Sequence, residues 1–70
     1  ILEAGCGEGY MSEHIYNFTK SYVRNVNITG FDISEQCIRD AVSQYPHLDF
    51  FVHDIYNPIE LNVTYDLIVC

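Results

Sequence analysis

The segment that most constrains this chain is residues 1–9, an apolar stretch with an acid, Glu3, followed by glycines at alternate positions. Glycine at Gly5, Gly7 and Gly9 permits positive φ and lets main-chain N–H groups approach a ligand without a Cβ in the way. A helical pattern follows, in which apolar residues recur at spacings of three and four: Met11, Ile15, Phe18 and Tyr22. Strand, glycine turn and helix together predict a nucleotide-like ligand at the carboxyl end of a parallel sheet, beside a helix N-terminus.

The rest of the chain alternates strand patterns with one further helical pattern. Short apolar runs over residues 27–33, 48–53 and 65–70 predict three more strands. Ser34 is placed to cap a second helix, which Pro46 ends. The apolar face predicted for that helix is Cys37, Ile38, Ala41, Val42 and Tyr45.

This order of elements predicts an α/β fold with a Rossmann-like, doubly wound parallel sheet, of which the chain covers about four strands and two helices. If the first strand is central, the right-handed crossover rule places the second and third strands on one side of it and the fourth on the other. Because 70 residues are close to the lower bound for an independent domain, we interpret residues 1–70 as part of a larger domain, truncated at both ends.

Composition narrows the class of partner. The formal charge of −7, with only Lys20, Arg24 and Arg39 as basic residues, predicts no nucleic-acid contact from this segment, since phosphate binding needs clustered cations. No run approaches the length of a membrane span, and we predict no membrane partner. Three scattered cysteines predict reduced thiols and a cytoplasmic location. The histidines show no metal-ligand spacing, and we predict no metal.

Acids lie at the predicted carboxyl ends of three strands: Glu3, Asp32 and Asp54. Asp32 comes 23 residues after Gly9, close to the spacing at which an acid after the second strand accepts hydrogen bonds from ribose hydroxyls. A carboxylate suits that role because it only accepts hydrogen bonds and can take two donors at once. An alternative for Asp32 is a structural role at the entry of the helix that Ser34 caps.

Taken in order, these segments resemble the class I S-adenosylmethionine-dependent methyltransferases over essentially the whole chain. Residues 3–9 look like that family's first motif, residues 31–34 its second, residues 52–55 its third and residues 65–70 the strand that follows. The resemblance implies an enzyme that transfers a methyl group from S-adenosylmethionine to an acceptor. It also implies the following cofactor site: Glu3, Gly5, Cys6, Gly7, Gly9, Asp32, Ile33, Asp54 and Ile55.

The resemblance assigns one part of this site to the methionine end of the cofactor. Gly5, Cys6 and Gly7 are implied to line that end, and Glu3 to organise it. A general base is needed only if the acceptor must lose a proton early, and no residue is assigned that role. The acceptor itself, a small molecule or RNA, stays unidentified.

The other part of the implied site holds the adenosine end. By resemblance, Asp32 binds the ribose hydroxyls and Ile33 packs on the adenine. Asp54 is implied to accept a hydrogen bond from the adenine amino group, and the Ile55 backbone N–H to meet a ring nitrogen.

Two alternatives stay open. A fragment of an NAD- or FAD-dependent oxidoreductase also begins with a strand, a glycine turn and a helix, but its fingerprint is Gly-x-Gly-x-x-Gly. Tyr10 stands where that third glycine would permit close helix–strand packing, and we expect its ring to crowd the helix against the sheet. The second alternative is a module that binds S-adenosylmethionine without transferring a methyl group.

Overall fold

The computed structural model describes residues 1–54, 56 and 65–69, and within them it shows four strands and two helices. The elements are β1 (Leu2–Ala4), α1 (Tyr10–Thr19), β2 (Thr29–Asp32), α2 (Glu35–Gln44), β3 (Asp49–Val52) and β4 (Ile68–Val69). All the strand pairs are parallel, and the order across the sheet is β3-β2-β1-β4. The central position of β1 and the Rossmann-like α/β class are therefore confirmed.

The register of the sheet assigns its side chains to two faces. Glu3 pairs with Gly30, and Gly30 pairs with Phe50, so these three residues lie on one face. Phe31 pairs with Phe51 on the opposite face, where their ring centroids are 5.4 Å apart. The first face is the one that α1 and α2 cover.

Helix α2 forms as its sequence pattern predicts. The Ser34 hydroxyl oxygen accepts a hydrogen bond from the Cys37 N–H at 3.2 Å, which satisfies one of the free donors of the first turn. Ile38 and Ala41 of the predicted apolar face are buried, whereas Val42 is exposed. The helix ends at Gln44, two residues before proline.

Helix α1 forms where the sequence pattern predicts a helix, but most apolar residues of that pattern do not face the sheet. The helix ends at Thr19, so Tyr22 lies outside it, and Met11 and Phe18 are exposed within the described chain. The buried or half-buried side of the helix keeps Ile15 of the pattern and adds three other residues: Ser12, Tyr16 and Thr19. The physical reason is that the helix meets the sheet through a polar contact, since the Ser12 hydroxyl donates to Glu3 at 3.1 Å.

Candidate cofactor site

The turn after β1 has the backbone that its glycines predict. Gly5, Gly7 and Gly9 have φ values of 71°, 57° and 87°, in the left-handed region that side chains with a Cβ rarely adopt. The turn is bonded to the end of β2, because the Cys6 N–H donates to the Phe31 carbonyl at 2.9 Å. A Cβ added to Gly5 or Gly7 would meet no atom within 4 Å. Their main chain therefore borders open space that a ligand can enter.

The Asp32 carboxylate joins this turn to the start of α2. Its Oδ2 accepts from the Gly7 N–H at 2.9 Å, and its Oδ1 accepts from the Ser34 N–H at 3.0 Å. The helix-entry role weighed as an alternative is thus observed. Since each carboxylate oxygen carries two lone pairs, both oxygens can still accept from a ligand.

A cleft of about 360 Å³ opens at the carboxyl ends of β2 and β3, within the size range of small-molecule sites. Its lining is Gly5, Phe31, Asp32, Ile33, His53, Asp54 and Tyr56. Four of the predicted site residues therefore meet in one cleft: Gly5, Asp32, Ile33 and Asp54.

The cleft combines apolar walls with two carboxylates. The buried Phe31 ring stands edge-on to the His53 ring, with centroids 5.7 Å apart, and Ile33 leaves most of its side chain exposed. The Asp54 Oδ1 accepts from the Tyr56 N–H at 2.9 Å, which fixes the turn after β3. Such a lining suits a flat ligand that donates hydrogen bonds at two points. Sequence reasoning missed Phe31, His53 and Tyr56 as lining residues.

Cys6 points away from this cleft. Its side chain packs on Gly30, where an added Cβ would come within 2.8 Å of the Cys6 Cβ. Burial, followed by the negative charges of Glu3 and Asp32, raises the pKa of Cys6 to about 12. The thiol therefore stays protonated at neutral pH and fills space between the turn and the sheet. If Cys6 contacts a ligand in the cleft, its main-chain atoms make that contact.

Glu3 lies beneath the turn and is only 4% exposed. Its Oε1 accepts from the Ser12 hydroxyl, whereas its buried Oε2 has no hydrogen-bond partner among the described residues. Burial raises the pKa of Glu3, and the hydrogen bond from Ser12 offsets part of that shift. A second cavity, of about 150 Å³, lies between Glu3, Gly5 and Met11. Sequence reasoning missed Ser12, whose signal is a small polar residue on the inward stripe of a helix.

Gly9 serves packing between elements. A Cβ added there would lie 2.9 Å from the Phe50 ring and 3.2 Å from the Ala41 Cβ. Tyr10 is 66% exposed, and its ring contacts His14 on the outside of α1. The expectation that Tyr10 crowds the helix against the sheet is therefore wrong. The left-handed backbone at Gly9 makes the close approach, and α1 begins with the Tyr10 side chain directed outward.

Three predictions remain, which concern Ile55, a metal site and a membrane span. Ile55 lies outside the described residues. Within residues 1–54, 56 and 65–69, no group of three or more His, Cys, Asp or Glu is arranged to hold a metal ion. In the same ranges, neither helix has the length and apolar character that crossing a membrane requires.

Comparison with known proteins adds an independent line of evidence. A family model described as a methyltransferase domain matches residues 1–70. The chain is 33% identical over 69 residues to putative methyltransferase 235L of Invertebrate iridescent virus 6, a match that covers 99% of the chain and 24% of the relative. It is 36% identical over 72 residues to the malonyl-[acyl-carrier protein] O-methyltransferase of Bacillus anthracis, with 99% and 24% covered. The chain thus spans about a quarter of the length of these relatives. Because the family model matches the whole chain, the chain belongs to the methyltransferase domain family.

Proposed function

We propose that the cleft binds S-adenosylmethionine and that the protein containing this segment transfers the methyl group to an acceptor. Membership of a methyltransferase family supports a methyl donor as the ligand. The observation that carries the choice of donor is the Asp32 carboxylate, which lies in the cleft and is held by the glycine turn on one side and by α2 on the other.

The adenosine end of the cofactor fits the donors and acceptors of the cleft. Asp32 offers acceptor oxygens to the two ribose hydroxyls, and Asp54 offers its second oxygen to the adenine amino group. Ile33 supplies an apolar contact for the purine ring. In this proposal the Ile55 N–H meets a ring nitrogen of the base, as the family resemblance implies.

The methionine end of the cofactor fits the open part of the glycine turn. Gly5 and Gly7 leave room for the main chain to approach the ligand, and Cys6 contributes only its backbone. Glu3 has a buried oxygen without a partner among the described residues, which suits an organising role toward an ammonium group. Gly9 supports the site by letting the turn pack closely on the sheet. When bound, S-adenosylmethionine supplies the methyl group and leaves as S-adenosylhomocysteine.

The charge of the segment supports the same ligand. The formal charge is −7, and S-adenosylmethionine is a net cation, because its sulfonium and ammonium groups outweigh its single carboxylate. The described lining of the cleft contains no Lys or Arg, which a dinucleotide would use to offset its pyrophosphate charge. The family match and the lining therefore both favour the methyltransferase interpretation over the dinucleotide alternative. A module that binds the cofactor without chemistry shares this lining, and a methyl-transfer assay separates it.

The partners follow from the same proposal. The acceptor is a small molecule or RNA that other parts of the protein recognise, and we propose no nucleic-acid or membrane contact for this segment because of its charge and composition. A cytoplasmic location is supported by three cysteines without paired spacing. No described residue is assigned as a general base.

Isothermal titration of the full-length protein with S-adenosylhomocysteine tests the binding claim. Asp32→Ala should weaken the affinity about ten- to a hundredfold, because hydrogen bonds to a charged acceptor contribute about 1.5–3 kcal/mol. The matched control is Asp40→Ala, since Asp40 accepts from Gln36 on the exposed side of α2 and should leave the affinity unchanged.

An analogue of S-adenosylhomocysteine without ribose hydroxyls separates ligand contact from turn structure. Asp32→Ala should cost little affinity for this analogue, because the donors that Asp32 accepts from are missing. An unaltered affinity of the variant for S-adenosylhomocysteine itself would contradict the proposed role of Asp32.

A further inference from the structure

Ser12 is a fully buried polar residue in the first turn of α1, and it contacts the strand that precedes the glycine turn. Its side chain is 0% exposed, and its hydroxyl donates to the Glu3 Oε1 at 3.1 Å. A serine inside a helix ordinarily faces solvent or bonds a carbonyl of the preceding turn. The Ser12 hydroxyl instead joins α1 to β1, and one oxygen of Glu3 is thereby held in place.

The other carboxylate oxygen of Glu3 has no hydrogen-bond partner among the described residues, although the residue is only 4% exposed. A buried oxygen without a partner is costly, because it has lost its contact with water. Glu3 lines the cavity of about 150 Å³, and Gly5 lines both that cavity and the cleft. The two spaces therefore adjoin at Gly5, where a hydrogen-bond donor on a ligand would satisfy the Glu3 Oε2.

We propose that Ser12 is a positioning residue, which holds the Glu3 Oε1 so that Oε2 accepts from the ammonium group of the cofactor. This inference rests on the proposed function and adds a residue that acts through Glu3 without touching the ligand. Serine suits the role because its hydroxyl donates a hydrogen bond to one oxygen, which favours the ionised carboxylate that an ammonium group pairs with.

Burial and the Ser12 hydroxyl act on Glu3 in opposite directions. Burial favours the neutral carboxyl group, whereas the hydrogen bond from Ser12 favours the charged form. Without Ser12, both oxygens would be buried with no donor from the described residues, and the carboxyl group would take up a proton more readily. A neutral carboxyl group attracts an ammonium group less strongly. Loss of the hydroxyl should therefore weaken binding only of ligands that carry the ammonium group.

The test is isothermal titration of the full-length protein with S-adenosylhomocysteine and with its deamino analogue, which lacks only the ammonium group. Ser12→Ala should weaken binding of S-adenosylhomocysteine about tenfold, as expected for the loss of one hydrogen bond to a charged group. It should leave the affinity for the analogue nearly unchanged. Ser21→Ala is the matched control, since the Ser21 hydroxyl donates to the Asn17 carbonyl on the exposed surface, and it should change neither affinity.

A double variant tests whether Ser12 acts through Glu3. Glu3→Gln removes the charge, and Ser12→Ala should then cause little further loss of affinity for S-adenosylhomocysteine, because two residues that act as one unit are not additive. If Ser12→Ala does not fold, Ser12→Cys takes its place with the same criteria, since a thiol is a weaker donor.

Three results would overturn the positioning role while leaving the proposed function in place. The first is wild-type affinity of the Ser12 variant for S-adenosylhomocysteine, and the second is an equal loss for both ligands, which a purely structural role would cause. The third is the same loss in the Glu3→Gln background as in the wild type. Failure of the wild-type protein to bind S-adenosylhomocysteine would instead overturn both the proposed function and this inference.

Discussion

At the scale of single residues, Glu3 shows how burial raises the pKa of a carboxyl group. Its carboxylate is almost fully buried, with one oxygen on the Ser12 hydroxyl and the other without a partner among the described residues. Desolvation penalises the charged form, so the pKa of Glu3 rises above its ordinary value of 4.5. The folded protein therefore holds this proton more tightly than the unfolded chain does.

This shift predicts the sign of a pH dependence. The contribution of Glu3 to the free energy of unfolding should fall as the pH rises from 4.5 through the raised pKa, and level off above it. Glu3→Gln has no proton to lose and should lack the decline. Urea unfolding at a series of pH values should show the wild type losing stability relative to Glu3→Gln across that window.

Glu8→Gln is the control for this measurement, because Glu8 lies in the same turn and is exposed. Its stability should run parallel to that of the wild type. A constant difference between the wild type and Glu3→Gln, or a difference of opposite slope, would contradict a raised pKa of the buried Glu3 carboxyl group.

The sequence predicted some residues of the site and missed others for identifiable reasons. Asp32 and Asp54 were predictable because each ends a short apolar run, and parallel strands bring their carboxyl ends to one edge. Ser12 was missed because a serine within a helical pattern is ordinarily assigned to the solvent side. Tyr56 was missed because it lies beyond a strand, where no periodicity places a side chain.

At the scale of elements, the order and pairing of strands were predictable and their exact extents were not. Strand β2 spans Thr29–Asp32 within the predicted residues 27–33, and β4 spans Ile68–Val69 within 65–70. Apolar composition continues past the residues that pair, so the pattern overestimates each strand. The pattern predicted helix α1 but not which of its residues face the sheet, because Ser12, a polar residue, makes the contact with the sheet.

Gly9 lies where the turn packs closely on α2 and the sheet, whereas Gly7 faces open space. Alanine at these two positions should therefore lower the free energy of unfolding by different amounts. Gly7→Ala should destabilise the protein by about 1–2 kcal/mol, the cost of positive φ alone, since an added Cβ meets open space. Gly9→Ala should cost about 1–3 kcal/mol more, because its Cβ would lie 2.9 Å from the Phe50 ring. Urea unfolding without ligand measures both, and equal losses would contradict the packing role of Gly9.

At the scale of the whole molecule, the parallel sheet explains why the residues of the candidate site lie together at one edge. The order β3-β2-β1-β4 places the carboxyl ends of three consecutive strands side by side. Gly5 follows β1, Asp32 ends β2 and Asp54 follows β3, and all three line one cleft. The acidic charge of the chain then favours a cationic ligand at that edge.

The central claim is that this edge binds S-adenosylmethionine and not a dinucleotide. Its most direct test is isothermal titration of the full-length protein with S-adenosylhomocysteine and with NAD under the same conditions. We expect binding of S-adenosylhomocysteine that NAD does not displace. Binding of NAD that excludes S-adenosylhomocysteine, or no heat with S-adenosylhomocysteine, would contradict the account.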